Sequence, residues 1–187
     1  MANPRYIMLT TAVLSALVVT KSHAETASVI VFDASGSMWA QFENGKSRIE
    51  IARDVMDDFA ADRDAQGLIG VVSYGHTRRG DCGDIETVLP VAPHAAGDLA
   101  ATIRTLDPKG KTPLTDAMAQ ARDLVPRTAE AADIILITDG LENCGADLCA
   151  LGAELAQAGT PLTAHVVGFD VADPDGQLAC LAERTGG

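Results

Sequence analysis

Val29-Ile30-Val31-Phe32-Asp33-Ala34-Ser35-Gly36-Ser37-Met38 is the stretch on which the reading of the chain turns. Four apolar residues, all β-branched or aromatic, run directly into an acid, two hydroxyls and a glycine. A short, wholly apolar run of this kind predicts a central strand buried on both faces of a parallel sheet. Its C-terminal end breaks into a polar loop, and in open α/β sheets that end of the strands is where ligands sit. Asp33, Ser35 and Ser37 place one carboxylate and two hydroxyls at alternate positions. Hard oxygen donors suit magnesium, calcium or manganese rather than zinc. Taken alone, the same three residues also read as a polar turn in which Ser35 or Ser37 caps the next element.

Outward from that strand, the chain alternates apolar runs with helical stripes. Ser47-Arg48-Ile49-Glu50 has the form of a capping box, and Ile49, Ala52, Val55, Met56, Phe59 and Ala60 recur at helical spacing. Leu68 to Tyr74 is a second buried strand, parallel to the first because a helix separates them. Gly75 to Gly83 is a polar turn. Ile85 to Val91 follows without a helix, so it returns antiparallel at an edge, where Pro90 is tolerated. Asp98 to Leu106 is a short helix. Thr112 is the expected N-cap of the next, with Pro113 in its first position and Pro126 beyond its end. Asp133 to Gly140 repeats the first pattern, an apolar strand ending in Asp139 and glycine. A helix over Asp147 to Ala158, a strand over Thr163 to Phe169 and a helix from Gln177 to Arg184 complete the series. The predicted fold is α/β: a doubly wound, mostly parallel sheet with one antiparallel edge strand and helices on both faces.

The chain has 187 residues, the size of one domain with a substantial core. Residues 1–24 read as a signal peptide: Arg5 is the positive n-region, Ile7 to Thr20 the apolar run, and Ser22-His23-Ala24 the small-x-small cleavage signal. The run is shorter than the roughly 20 apolar residues of a comfortable span, an uncleaved N-terminal anchor being the alternative. Residues 25–187 are then one exported domain, periplasmic or secreted, with no direct membrane insertion. The formal charge is −12; loss of Arg5 and Lys21 with the leader takes it to −14. Such an acidic surface argues against nucleic acid and anionic membranes. Aromatics at 4% give little support to sugar binding by stacked rings. Four cysteines in an exported chain indicate disulfides. The spacing of Cys144 and Cys149 suggests a local bridge between them; Cys82 and Cys180 are left to pair together, stay free or rearrange with the first two.

Three separate segments converge on one sheet edge: Asp33, Ser35 and Ser37 after one strand, Asp139 after its expected neighbour, and Thr112 in the loop entering a helix. At this point the chain resembles a von Willebrand factor type A (VWA) domain, and most of all its bacterial exported members. Asp-x-Ser-x-Ser at 33–37, Thr112 in Lys-Thr-Pro-Leu and Asp139 in Thr-Asp-Gly match that family's metal-ion-dependent adhesion site, in order, within a likeness spanning about Ser28 to Gly187. The resemblance implies a Rossmann-like fold, and that the final strand of the family is lacking, as in a fragment. It implies that Ser35, Ser37 and Thr112 touch the metal directly or nearly so, with Asp33 and Asp139 ligating directly or through water. The ion implied is Mg2+, or Mn2+ or Ca2+, and the function is binding: an Asp or Glu of another protein completes the coordination. Met38, Trp39, Arg78 and Arg79 are candidates for the rim.

Enzyme readings fit less well. A strand-end Asp also opens the Asp-x-Asp site of haloacid-dehalogenase-type phosphatases, but Ser35 stands where the acid is needed. No Gly-x-Ser-x-Gly elbow surrounds either serine, and His76, His94 and His165 have no clear place as a base. An exported structural domain merely stabilised by metal is the remaining alternative.

Overall fold

The computed structural model describes residues 26–187; the expected leader lies outside them. Five strands form one sheet in the order β3-β2-β1-β4-β5: β1 (Thr26–Asp33), β2 (Leu68–Tyr74), β3 (Ile85–Pro93), β4 (Ala131–Thr138) and β5 (Leu162–Gly168). β1 is central and pairs in parallel with both β2 and β4, β4 pairs in parallel with β5, and only β3 runs antiparallel, along one edge. The doubly wound fold expected from the sequence is the one observed.

Alternation along β1 explains why helices cover both faces. Ala27, Val29 and Val31 join one core with α3 (Leu114–Leu124), α4 (Leu148–Leu155) and α5 (Gln177–Thr185). Ile30, Phe32 and Ala34 join the other with α1 (Arg48–Asp62) and α2 (Ala96–Thr105). Val29, Val31 and Phe32 are fully buried, as a strand apolar on both faces requires. In α1, Ile49, Ala52, Met56 and Ala60 face inward, whereas Val55 is exposed. From β1 the chain winds outward to β2 and β3, then returns to lay β4 on the other side of β1. The sheet therefore reverses direction between β1 and β4, the crevice where such sheets bind ligands. Asp33 and Asp139 lie at the ends of those two strands.

Two local expectations are corrected. Thr112 is not the N-cap of α3: Pro113 holds that position and no side chain caps it. The amide N–H of Thr112 donates instead to Asn143 Oδ1 at 2.9 Å. The disulfides are Cys82–Cys144 and Cys149–Cys180, not Cys144–Cys149. Between Cys144 and Cys149 lies a turn through Gly145 at φ +88° and then the start of α4, so the two cysteines serve different neighbours. Cys144 meets the β2–β3 loop at the same sheet edge. Cys149 lies on α4 against α5, where Gly152 lets the helices close: a Cβ there would come within 3.2 Å of Leu181 Cα.

Candidate functional site

Asp33 ends β1 with its carboxylate fully buried. Oδ1 accepts the Ser35 amide at 2.7 Å and Oδ2 accepts the Thr138 hydroxyl at 2.6 Å. Tyr74 donates to that same hydroxyl at 3.2 Å. Burial pushes the Asp33 carboxyl up, the hydrogen bonds from Thr138 and Ser35 pull it back down, and the like charge of Asp139 raises it further; the balance is a raised pKa. Burial, then Asp33, drives the Tyr74 phenol well above its usual range, so it stays neutral.

Beyond Asp33 the chain turns through a short 3-10 turn, Gly36–Trp39. Ser35 Oγ and Ser37 Oγ lie 2.9 Å apart, and Ser37 donates to Asp139 Oδ1 at 2.7 Å. A continuous chain of oxygens thus runs from the end of β1 to the end of β4. Thr112 arrives from the third segment. Residues 109–110 run beside 34–36, with Gly36 N–H donating to Gly110 at 3.0 Å and Lys109 N–H to Ala34 at 3.1 Å. The Thr112 side chain stands against Gly140, whose Cβ, if added, would lie 3.9 Å from Thr112 Oγ1. Asn143 Nδ2 donates to Thr112 Oγ1 at 3.2 Å. Asp33, Ser35, Thr112 and Asp139 are buried and Ser37 is exposed, so the group opens to solvent on the Ser37 side.

Several residues here carry no role in the sequence pattern. Thr138 anchors Asp33, Asn143 holds Thr112, and Arg48 donates to Asp139 Oδ2 at 2.7 Å. Thr138 and Asn143 have a faint signal, as polar residues at a strand end beside Asp139. Arg48 has none, being the first residue of a helix with partners 91 and 122 positions away.

The rim is only partly as expected. Met38 is fully buried and faces the core. Trp39 is 49% exposed, its indole N–H donating to Pro108 at 2.9 Å. Arg78 and Arg79 are exposed on the β2–β3 loop. Asp84 organises that loop, accepting from the Arg78 amide at 2.8 Å, the Thr77 amide at 2.9 Å and the Thr77 hydroxyl. Burial pushes its carboxyl up, but these donors outweigh that and hold it below the usual carboxylate range. Cys82–Cys144 then ties the loop to the segment carrying Asn143.

A sequence profile of the von Willebrand factor type A domain matches residues 28–142, more than half of the chain. The chain belongs to the von Willebrand factor type A family. This VWA domain is 28% identical over 174 residues to the uncharacterized protein YwmD of Bacillus subtilis (strain 168), covering 87% of this chain and 76% of that one. Among solved structures it is similar to proximal thread matrix protein 1 of the mussel byssus, in a form with a zinc-occupied MIDAS motif, with a TM-score of 0.65 at 22% identity over 85% of this chain and 39% of that one. It is likewise similar to the PilB minor pilin of Streptococcus sanguinis, with a TM-score of 0.65 at 18% identity over 89% of this chain and 56% of that one. The vWF domain of the pilus tip protein Mfa5 from Porphyromonas gingivalis aligns with a TM-score of 0.51 at 24% identity over 64% of this chain and 39% of that one. This VWA domain thus spans between about two fifths and three fifths of the length of those solved chains, and at these identities the likeness concerns the fold.

The donor set bears on whether a metal suits this VWA domain. Among the described residues no three His, Cys, Asp or Glu side chains form a metal-holding group. The cluster has two carboxylates and three hydroxyls, all hard oxygens, with no sulfur or imidazole. That composition fits a hard divalent cation with an incomplete protein shell, as magnesium prefers. A cation here would also relieve the buried Asp33–Asp139 repulsion.

Proposed function

We propose that this domain is a metal-dependent protein-binding module. Asp33, Ser35, Ser37, Thr112 and Asp139 would hold one divalent cation, Mg2+ or alternatively Mn2+ or Ca2+. When bound, the ion supplies an open position for an Asp or Glu carboxylate of a partner protein. The observation that carries this reading is the oxygen chain Ser35–Ser37–Asp139, at 2.9 and 2.7 Å, above a buried Asp33. The residues themselves divide the work: Thr138 and Ser35 orient Asp33, Asn143 orients Thr112, and Ser37 presents the exposed face to the partner. No enzymatic step is assigned, since the hydrogen-bond partners of His76 and His94 and the ion-pair partner of His165 are Glu86, Pro90 and Asp133 rather than members of the cluster.

The two disulfides suit an oxidising compartment. With the pilus and byssus proteins among the similar structures, they support an exported domain, residues 25–187, freed from a leader at 1–24. The mature protein is expected to begin at Glu25 by intact-mass measurement; a full-length chain held in membranes would contradict the leader. The binding reading is tested by capture from a cell-envelope extract on the immobilised mature domain, once with magnesium and once with EDTA. A partner is expected to be retained with magnesium and released by chelator. Retention that ignores EDTA would count against a metal-mediated contact.

A further inference from the structure

One positive charge already stands at the cluster. The Arg48 guanidinium donates from Nη1 to Asp139 Oδ2 at 2.7 Å and from Nη2 to Asp170 Oδ2 at 2.9 Å. It also sits 6.0 Å from the centroid of the Phe42 ring. The Asp139 side chain is fully buried, that of Arg48 is 18% exposed and that of Asp170 is 71% exposed. The second oxygen of Asp139 accepts from Ser37, so both of its oxygens are engaged by protein donors.

We infer that Arg48 is a built-in counter-ion that sets the charge of the cluster: it competes with the divalent cation for Asp139 and, once the ion is held, leaves a positive excess that only an anionic ligand cancels. This rests on the reading of the five oxygen-bearing residues as a metal site. Two carboxylates and a divalent ion sum to neutrality, and a neutral site has little electrostatic demand for a carboxylate. Arg48 shifts that sum by one positive unit. Asp170 pairs with the same guanidinium but is 71% exposed, and an ion pair in high-dielectric water contributes little. Asp139 is buried, so its pairing with Arg48 weighs more in the local balance. An uncompensated charge in a buried setting is costly, and a carboxylate from outside is the ligand that removes it. Phe42 and Asp170 contact the same guanidinium independently of Asp139 and would keep it near the cluster if an ion took a share of Asp139.

The inference separates metal affinity from carboxylate affinity, predicting that one substitution moves them in opposite directions. Arg48→Gln removes the charge and retains a hydrogen-bonding side chain; Arg48→Lys keeps the charge. Mn2+ alone is titrated calorimetrically into the wild type and both variants. Acetate is then titrated into the Mn2+-saturated proteins, followed through the loss of water-proton relaxation as bound water leaves the ion. Arg48→Gln is expected to bind Mn2+ about tenfold or more tighter and acetate about tenfold weaker, on the scale of one nearby charge. Arg48→Lys should stay near the wild type in the acetate titration. Thermal melts of all three proteins guard against a misfolded variant. Equal Mn2+ affinity in wild type and Arg48→Gln, or acetate affinity independent of the charge at position 48, overturns the inference and leaves the metal site standing. If none of the proteins takes up Mn2+, the metal reading falls and the inference with it.

Discussion

Asp33→Ala takes up no magnesium or manganese at concentrations that saturate the wild type, a loss of at least about a hundredfold on the scale of removing a buried charged ligand. The expectation comes from the position of Asp33, a wholly buried carboxylate with no basic partner among its hydrogen bonds. Asp139 shares its charge with Arg48, so Asp33 supplies most of the uncompensated negative charge available to a cation. The fold should survive the change, because two effects oppose each other. The Ser35 amide and Thr138 hydroxyl lose their acceptor, which costs about 1–3 kcal/mol for each buried donor left unpaired. Against that, a buried carboxylate with a raised pKa, facing the like charge of Asp139, is removed. Calorimetric titration of wild type and variant decides the matter, and equal uptake by the two would sink the assignment of Asp33. A thermal melt separates loss of the ligand from loss of the domain.

Gly75→Ala is expected to lower stability by about 3 kcal/mol and the melting temperature by roughly 6–12 °C, with weaker metal uptake as a consequence. Gly75 lies just beyond β2 with φ +70°, a conformation in which a side chain is strained. A Cβ there would stand 2.8 Å from Lys111 O, 2.9 Å from Ser35 Cα and 3.1 Å from Ala34 O. Its own carbonyl accepts the amides of Lys109 and Gly110 at 2.9 and 2.7 Å. The residue is therefore where the segment carrying Ser35 and the segment leading to Thr112 meet, and any shift there separates two parts of the cluster. Differential scanning calorimetry checks this, and an unchanged melting temperature would mean that the backbone does not approach Gly75 this closely.

How far the sequence discloses the molecule depends on the distance over which each interaction acts. The strands declare themselves because Val29–Phe32 and Ile134–Ile137 are apolar on both faces, and a run of apolar residues is a local signal. The antiparallel edge is legible for a similar reason: no helix intervenes between Tyr74 and Ile85. The positions of Asp33, Ser35, Ser37, Thr112 and Asp139 are legible as a pattern, and the structure brings their segments to one edge. What escapes is whatever depends on partners far along the chain. Arg48 is no more than a first-turn residue in the sequence until the fold brings Asp139 and Asp170 to it. The cysteines mislead because proximity in sequence favours Cys144 with Cys149, whereas the turn at Gly145 and the helix start at Leu148 send them to different neighbours. Thr112 has the residue type and position of a cap, but Asn143, 31 residues away, claims its amide.

The placement of the cluster at the end of β1 has a mechanical consequence. β1 is bonded to parallel neighbours on both sides, with seven registered pairs to β2 and seven to β4. If a partner is held at the cluster as proposed, a pull directed along β1 would run parallel to the strand and across its hydrogen bonds. Both ladders bear the load together in shear, where a peripheral hairpin pulled at its end would open bond by bond. The proposed point of attachment thus sits at the end of a strand paired on both sides.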